Sequence, residues 1–450
     1  MKLFGTDGIR GKANVYPMAG DMAYKLGKAL VYALNGTPNK KRKIIIGKDT
    51  RLSGYMLESA ITSGIVSMGA DAYLVGPMPT PAIAFLVKSM RCDAGVVISA
   101  SHNPYDDNGI KIFSHKGLKL DDELEETIEE LILSNALDGK GTLGDKIGRA
   151  YRIRDTLGRY IVFAKDTLPY SVSLEGLRVV LDCANGATYK VAPMIFEELG
   201  AEVIAINNQP NGININDKCG STYPNTILDA TRLYRADVGI AFDGDGDRVL
   251  MVDDKYNLVD GDAILAILAK SMKENGTLKG DTVVGTVMTN YGLELFLKKV
   301  GVRLERVDVG DKNIVKRMIE RSYNLGGEQS GHVVLWDFNT TGDGIVTALT
   351  VLSIMQREKK RLSELTKGFK KIPQKTYNVV VKDKPPIKDI DEIQRAIEKT
   401  ESILKGNGRI VVRYSGTEPM LRITTESTQA ELVDECIRIV AEAAKAVLGR

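Results

Sequence analysis

A short apolar run that stops on a polar, turn-rich loop and gives way to a helical stretch recurs along this chain, and that pattern directs it to the α/β class. Lys43–Gly47 reads as a strand and Met56–Met68 as a helix. Ala94–Ala100 is the next strand, and Asp121–Leu133 a helix with Leu124, Ile128, Leu131 and Ile132 on one face. Leu177–Asp182, Glu202–Ile206 and Val238–Phe242 mark a second sheet. After a boundary near Asp254–Asp260, a helix over Ala263–Met272 and strands at Thr282–Thr286 and Arg303–Val307 form a third unit. A last boundary falls between Lys367 and Gln374, and from Lys375 the order is strand, helix, strand, strand, helix. The final helix is amphipathic, with Leu432, Val433, Cys436, Ile437 and Val440 inward. At 450 residues the chain exceeds the ~250 to 300 at which single cores stop growing, and three α/β units of similar size suggest duplication.

Four loops carry chemistry. In Ile98–Phe113 (ISASHNPYDDNGIKIF) the strand Ala94–Ile98 precedes Ser101 and His102. The turn signals Asn103-Pro104 and Asn108-Gly109 are expected to end the strand and hold the serine hydroxyl at its carboxyl end, where open α/β sheets bind ligands. In Ala241–Asp253 (AFDGDGDRVLMVD), Asp243, Asp245 and Asp247 alternate with glycines between two strands. Three carboxylates so close repel unless a cation sits among them, and oxygen-only ligands favour Mg²⁺ over Zn²⁺. A calcium loop of EF-hand type is excluded, because its sixth position is Arg248 rather than Gly and its twelfth is Asp254 rather than Glu.

Gly326–Val334 (GGEQSGHVV) sets Glu328, Ser330 and His332 on a glycine-rich turn, a donor and acceptor set suited to sugar hydroxyls. Arg413–Ile423 (RYSGTEPMLRI) offers the guanidinium forks of Arg413 and Arg422 with Ser415, Gly416 and Thr417 in a nest-like turn, a chemistry that fits phosphate.

These four segments, in this order, resemble the α-D-phosphohexomutase superfamily, and most closely its bacterial glucosamine-phosphate branch. The resemblance spans the whole chain, from Phe4–Gly11 (FGTDGIRG) through Val259–Asp262 (VDGD) to the last loop. It implies three similar α/β mixed-sheet domains plus a smaller α+β C-terminal domain around one central cleft. The expected units are 1–152 with the serine loop, 153–255 with the metal loop, 256–368 with the sugar loop and 369–450 with the phosphate loop. It also implies interconversion of glucosamine 6-phosphate and glucosamine 1-phosphate through a phosphoserine at Ser101 and glucosamine 1,6-bisphosphate as activating intermediate. One Mg²⁺ would be held by Ser101, Asp243, Asp245 and Asp247.

Arg10, His102 and Arg248 would supply charge stabilisation, and Lys111 would be the general base with a pKa lowered by nearby positive charge. Asp311 stands where hexose-specific relatives carry a histidine, and it joins Glu328, Ser330, His332 and the last loop as substrate-binding. The same machinery would serve a phosphomannomutase or phosphoglucomutase. A non-catalytic sugar-phosphate sensor would not retain Ser101 with the acidic triad.

With 61 Lys+Arg against 58 Asp+Glu the net charge is +3, too balanced for a nucleic-acid protein. Cys92, Cys183, Cys219 and Cys436 form no CxxC pair, so neither zinc nor a disulfide framework is indicated. The start lacks an apolar signal core and no apolar run approaches the ~20 residues of a membrane span. A cytoplasmic enzyme, monomer or homodimer, with a small sugar phosphate as its partner and no membrane or nucleic acid, is the expectation.

Overall fold

The structure is a computed structural model and describes residues 3–5, 7–34, 41–415 and 419–449. Four sheets follow one another along the chain. In the first, the strands run Ile9–Lys12, Asp107–Ser114, Ala94–Ile98, Lys43–Lys48, Asp71–Pro77, Ala150–Arg152 across the sheet. The second runs Leu258–Val259, Val249–Val252, Val238–Phe242, Arg178–Asp182, Glu202–Ile206, and the third Arg303–Val307, Thr282–Thr286, Leu325–Gly327, Val333–Leu335. The fourth is wholly antiparallel, with Met420–Ser427 between Gln374–Val380 and Gly408–Tyr414, and it is backed by the helices Asp391–Leu404 and Ala430–Leu448.

The first three sheets share one plan. In each, the first parallel strand lies between the second and third, and the third pairs antiparallel with the strand that follows it. The three loops singled out above fill the same place in each copy, the reversal from the third strand to its antiparallel neighbour. The strands entering those reversals are fully buried, as strands covered on both faces must be. One continuous apolar core runs from Ile83 and Phe113 through Tyr160 and Phe196 to Leu265 and Leu349, so the first three units pack as a block. The fourth has a core of its own around Val379, Leu421, Ile423 and Val440.

Asn108-Gly109 is not a turn. Both residues lie inside the strand Asp107–Ser114, and a Cβ at Gly109 would fall 2.6 Å from the Ser99 carbonyl oxygen, so glycine is there for close strand approach.

The linker to the fourth unit is tied down at Ile372. Asn290 accepts the Ile372 N–H at 3.0 Å and donates to its carbonyl at 3.1 Å. Asn290 in turn donates its own backbone N–H to Asp262 at 3.1 Å. Burial first, and then the neighbouring Asp260, push the Asp262 carboxyl up to about 7. A carboxyl whose pKa is higher folded than unfolded favours folding below the unfolded value near 4, and that contribution is lost as pH rises through 7. Asp262→Asn keeps an oxygen for Asn290 without the charge. It is expected to gain stability relative to wild type between pH 4 and pH 8, by on the order of 3 kcal/mol. Melting curves of both proteins across that range check this, and parallel curves would refute it.

Candidate active site

Ser101 follows the strand Ala94–Ile98, is 1% exposed, and has φ +53, in the left-handed region. The loop is held by its carbonyl oxygens. The Arg51 guanidinium donates to the carbonyls of Ser101 at 3.3 Å, Asn103 at 2.5 Å and Pro104 at 3.4 Å. Asn216, from the second unit, donates to the carbonyls of Ser101 at 2.9 Å and Asn103 at 3.0 Å. Arg51 is wholly buried and paired with the Asp49 carboxylate. Neither Arg51 nor Asn216 was among the residues expected from sequence. The polar run Lys48-Asp49-Thr50-Arg51 directly after an apolar strand was a signal for the first, and nothing local marked the second.

So positioned, the Ser101 hydroxyl donates to Asp243 Oδ2 at 2.6 Å and lies 3.3 Å from His102 Nδ1. Asp243, Asp245 and Asp247 are all buried, each offering a carboxylate oxygen within 4.8 Å of the others. Gly244 brings this loop against the serine loop, since a Cβ there would sit 2.5 Å from the Ser101 carbonyl oxygen. Burial, then the charges of Asp247 and Asp245, push the Asp243 carboxyl well above the usual carboxylate range. Asp245 Oδ1 and Asp247 Oδ1 are buried without a hydrogen-bond partner among the described residues. Crowded buried carboxylates with unsatisfied oxygens beside a hydroxyl form a donor set that fits a hard cation such as Mg²⁺.

Lys111 departs from expectation. It is not a lysine of lowered pKa. Its ammonium is 1% exposed and lies 2.9 Å from Asp245, 3.4 Å from Asp247 and 3.1 Å from Asp7. Burial works to discharge it, but these three carboxylates outweigh burial and hold its pKa well above the ordinary lysine value. His102 also differs. Burial first, then Arg248 and Arg10, push it down to about 4, so the ring is neutral at pH 7 and contributes a hydrogen-bonding group rather than a charge. Arg10 does face the loop, donating to the Ala100 carbonyl at 3.1 Å and pairing with Asp7. Arg248 donates its backbone N–H to Asp243 at 3.1 Å, and its guanidinium lies 3.9 Å from Asp247.

In the third unit Glu328 and Ser330 stand on the reversal between Leu325–Gly327 and Val333–Leu335, with 3.5 Å between hydroxyl and carboxylate. His332 is not presented like them. It is buried, accepts the Gly342 N–H on Nε2 at 3.2 Å and turns Nδ1 towards Asp247 at 3.7 Å. Asp311 opens the helix Asp311–Arg321 and pairs with Lys119 at 2.5 Å.

In the fourth unit Arg413 and Arg422 are direct cross-strand partners. Burial first, and then the Arg422 charge, lower the Arg413 pKa. The Ser415 carbonyl takes the Lys384 ammonium at 2.6 Å. Gly416 and Thr417 lie outside the described residues.

Family models for the four parts of phosphoglucomutase/phosphomannomutase match consecutive stretches: α/β/α domain I over residues 1–138, domain II over 159–257, domain III over 260–372 and the C-terminal domain over 377–443. The chain belongs to the phosphoglucomutase/phosphomannomutase family. Within it, the relatives at high identity are phosphoglucosamine mutases. That of Geobacter sp. (strain M21) is 55% identical, the alignment covering 95% of this chain and 94% of the relative. That of Bdellovibrio bacteriovorus is 52% identical, over 95% and 94%. Among solved structures, a phosphoglucomutase/phosphomannomutase family protein from Burkholderia thailandensis matches with TM-score 0.80 at 23% identity, over 99% of this chain and 97% of that one. Aspergillus fumigatus N-acetylphosphoglucosamine mutase, solved with GlcNAc-6P and magnesium, matches with TM-score 0.67 at 18% identity, over 99% and 95%. At those identities the likeness is one of fold.

Proposed function

We propose that this phosphohexose mutase interconverts glucosamine 6-phosphate and glucosamine 1-phosphate by way of a phosphoryl group stored on Ser101. The observation that carries the reading is the Ser101 hydroxyl donating to Asp243 inside the buried carboxylate triad. The two sugar oxygens are too far apart for direct transfer, so the phosphoryl passes from Ser101 Oγ to one hydroxyl, giving glucosamine 1,6-bisphosphate. The sugar then turns over, and the other phosphoryl returns to Ser101. Magnesium on Asp243, Asp245, Asp247 and the serine oxygen would draw charge from the phosphoryl group as it moves.

The protein's part is alignment. Arg51 and Asn216 fix the loop, Arg10 and Arg248 set positive charge beside it, and Lys111 sets its ammonium against Asp245 and Asp247. Lys111 would act as the general base, taking the proton of the attacking sugar hydroxyl and returning it in the reverse step. Glu328 and Ser330 would bind ring hydroxyls, with Asp311 and His332 behind them. Arg413, Ser415, Gly416, Thr417 and Arg422 would grip the phosphate that is not reacting. Unit boundaries near 152, 255 and 368 fit this division of labour. No helix among the described residues is long and apolar enough to cross a membrane.

Side-by-side turnover of glucosamine, glucose and mannose phosphates tests the reading. The glucosamine phosphate is expected to lead in kcat/KM by at least about tenfold, the range that one or two polar contacts to a substituent supply. A higher value for glucose or mannose phosphate would overturn the choice of sugar.

A further inference from the structure

Six side chains close into a ring beside the triad. Asp247 Oδ2 lies 3.4 Å from the Lys111 ammonium, which lies 3.1 Å from Asp7 Oδ2. The other Asp7 oxygen takes the Lys119 ammonium, which reaches Asp311 Oδ2 at 2.5 Å. That oxygen is 3.7 Å from His332 Nε2, and His332 Nδ1 is 3.7 Å from Asp247 Oδ2, where the ring began. From Asp247 to Asp311 the charges alternate in sign. Each seam among the first three units is crossed once: Lys111 to Asp247 joins the first to the second, Lys119 to Asp311 the first to the third, and His332 to Asp247 the third to the second. The most exposed member, Asp7, is 23% exposed at its side chain, and Lys119 and Asp311 are 13% each.

Buried ion pairs are a poor way to hold units together, because desolvation consumes most of their attraction. Here the same units already share a continuous apolar core. What the four ion pairs from Asp247 to Asp311 add is fixed spacing, since Lys111, Asp7 and Lys119 cannot move without separating two pairs each, and His332, whose Nε2 accepts the Gly342 N–H, stands between the two ends. Lys119 is the link that spans the widest gap in sequence without touching the triad. It stands at the base of a tongue formed by Phe113–Lys119, whose tip is also gripped by the third unit, the Thr340 hydroxyl donating to the Gly117 carbonyl at 2.5 Å.

We propose that Lys119 is a positioning residue for phosphoryl transfer: by holding Asp311 of the third unit to Asp7 of the first, it sets the spacing of Lys111 and His332 on either side of the triad. The proposal rests on the reading of Ser101 and the triad as the reacting centre, and it adds two residues, Lys119 and Asp7, to the machinery. Loss of the ammonium leaves Asp7 and Asp311 facing each other across the seam as like charges.

The test compares Lys119→Met, Lys119→Arg and Lys312→Ala in steady-state kinetics on glucosamine 6-phosphate and in melting curves. Lys312 is the control because it makes a separate charge contact between the same two units, 2.7 Å to Asp122 and 3.1 Å to Glu125, outside the ring. Lys119→Met is expected to lower kcat roughly 10- to 100-fold with KM changed less than about threefold, the signature of lost alignment rather than lost binding. Lys119→Arg, able to bridge both carboxylates, should recover to within about fivefold of wild type, and Lys312→Ala should keep kcat within about twofold. Should Lys119→Met fail to fold, Lys119→Gln is read by the same criterion. A neutral variant at wild-type kcat, an arginine variant no better than the neutral one, or a Lys312→Ala loss equal to it would each overturn the proposal. Wild-type enzyme inactive on glucosamine phosphate would instead overturn the functional reading beneath it.

Discussion

Replacing Ser101 with alanine is expected to cut mutase turnover by at least about 10⁴-fold, because the group that forms and breaks the bond to phosphorus is gone. His102 Nδ1 lies 3.3 Å from that hydroxyl, and among the described residues the other hydroxyl that hydrogen-bonds the triad is Thr80, which donates to Asp245 at 2.6 Å. The fold should survive. The serine hydroxyl makes one hydrogen bond to Asp243, whose loss costs about 1 to 2 kcal/mol, while the Arg51 and Asn216 contacts are to backbone and persist. Mass spectrometry of wild-type peptides should find the phosphoryl group on Ser101. Threonine is not expected to rescue, since a β-branched side chain at φ +53 is strained. Wild-type turnover in the alanine variant, or phosphate found only at another residue of active protein, would refute the stored-phosphoryl route.

Asp243→Asn is expected to separate activity from stability. Its two oxygens now accept from the Ser101 hydroxyl and the Arg248 N–H. The amide oxygen can keep the Arg248 contact and the amide nitrogen can donate to the serine oxygen, so both bonds persist with the charge removed. Asp247 and Asp245 are left without a third negative neighbour. In chelator, the variant should therefore melt at or above the wild-type temperature. Added Mg²⁺ should raise the wild-type melting temperature and leave the variant's nearly unchanged. Metal stabilisation of a moving phosphoryl group is worth several kcal/mol, so turnover should fall by on the order of 10³-fold. Equal Mg²⁺ stabilisation of both proteins, or full activity of wild type in excess chelator, would rule out the triad as the metal's seat.

The loops were legible in the sequence because turn chemistry and strand ends are local. Ser101, the three aspartates and Glu328 announce themselves by the apolar runs on either side of them. The environment of Lys111 was not legible, because its partners arrive from elsewhere, Asp245 being 134 residues away along the chain. The resemblance implied arginines and a metal near this lysine, and topology also brings Asp7, Asp245 and Asp247 against it. His332 was read as a sugar ligand from its loop, whereas the reversal turns it inward to Asp247. Asn108-Gly109 misled for the opposite reason. A strong turn dipeptide was overridden by pairing on both sides of its strand, with the asparagine amide occupied by the Ser53 hydroxyl at 2.8 Å.

The strand order repeated in the first three sheets has a consequence for how competence arises during synthesis. Each copy delivers one loop from the same reversal, and no copy delivers two. A ribosome that has extruded the first two copies has made the serine and the triad but neither Glu328 nor the Asp311 and His332 that flank the triad from the third. The nascent chain can complete two sheets, yet part of the shared core and of the constellation still waits for the third. Competence belongs to no single copy and arrives only when the third docks.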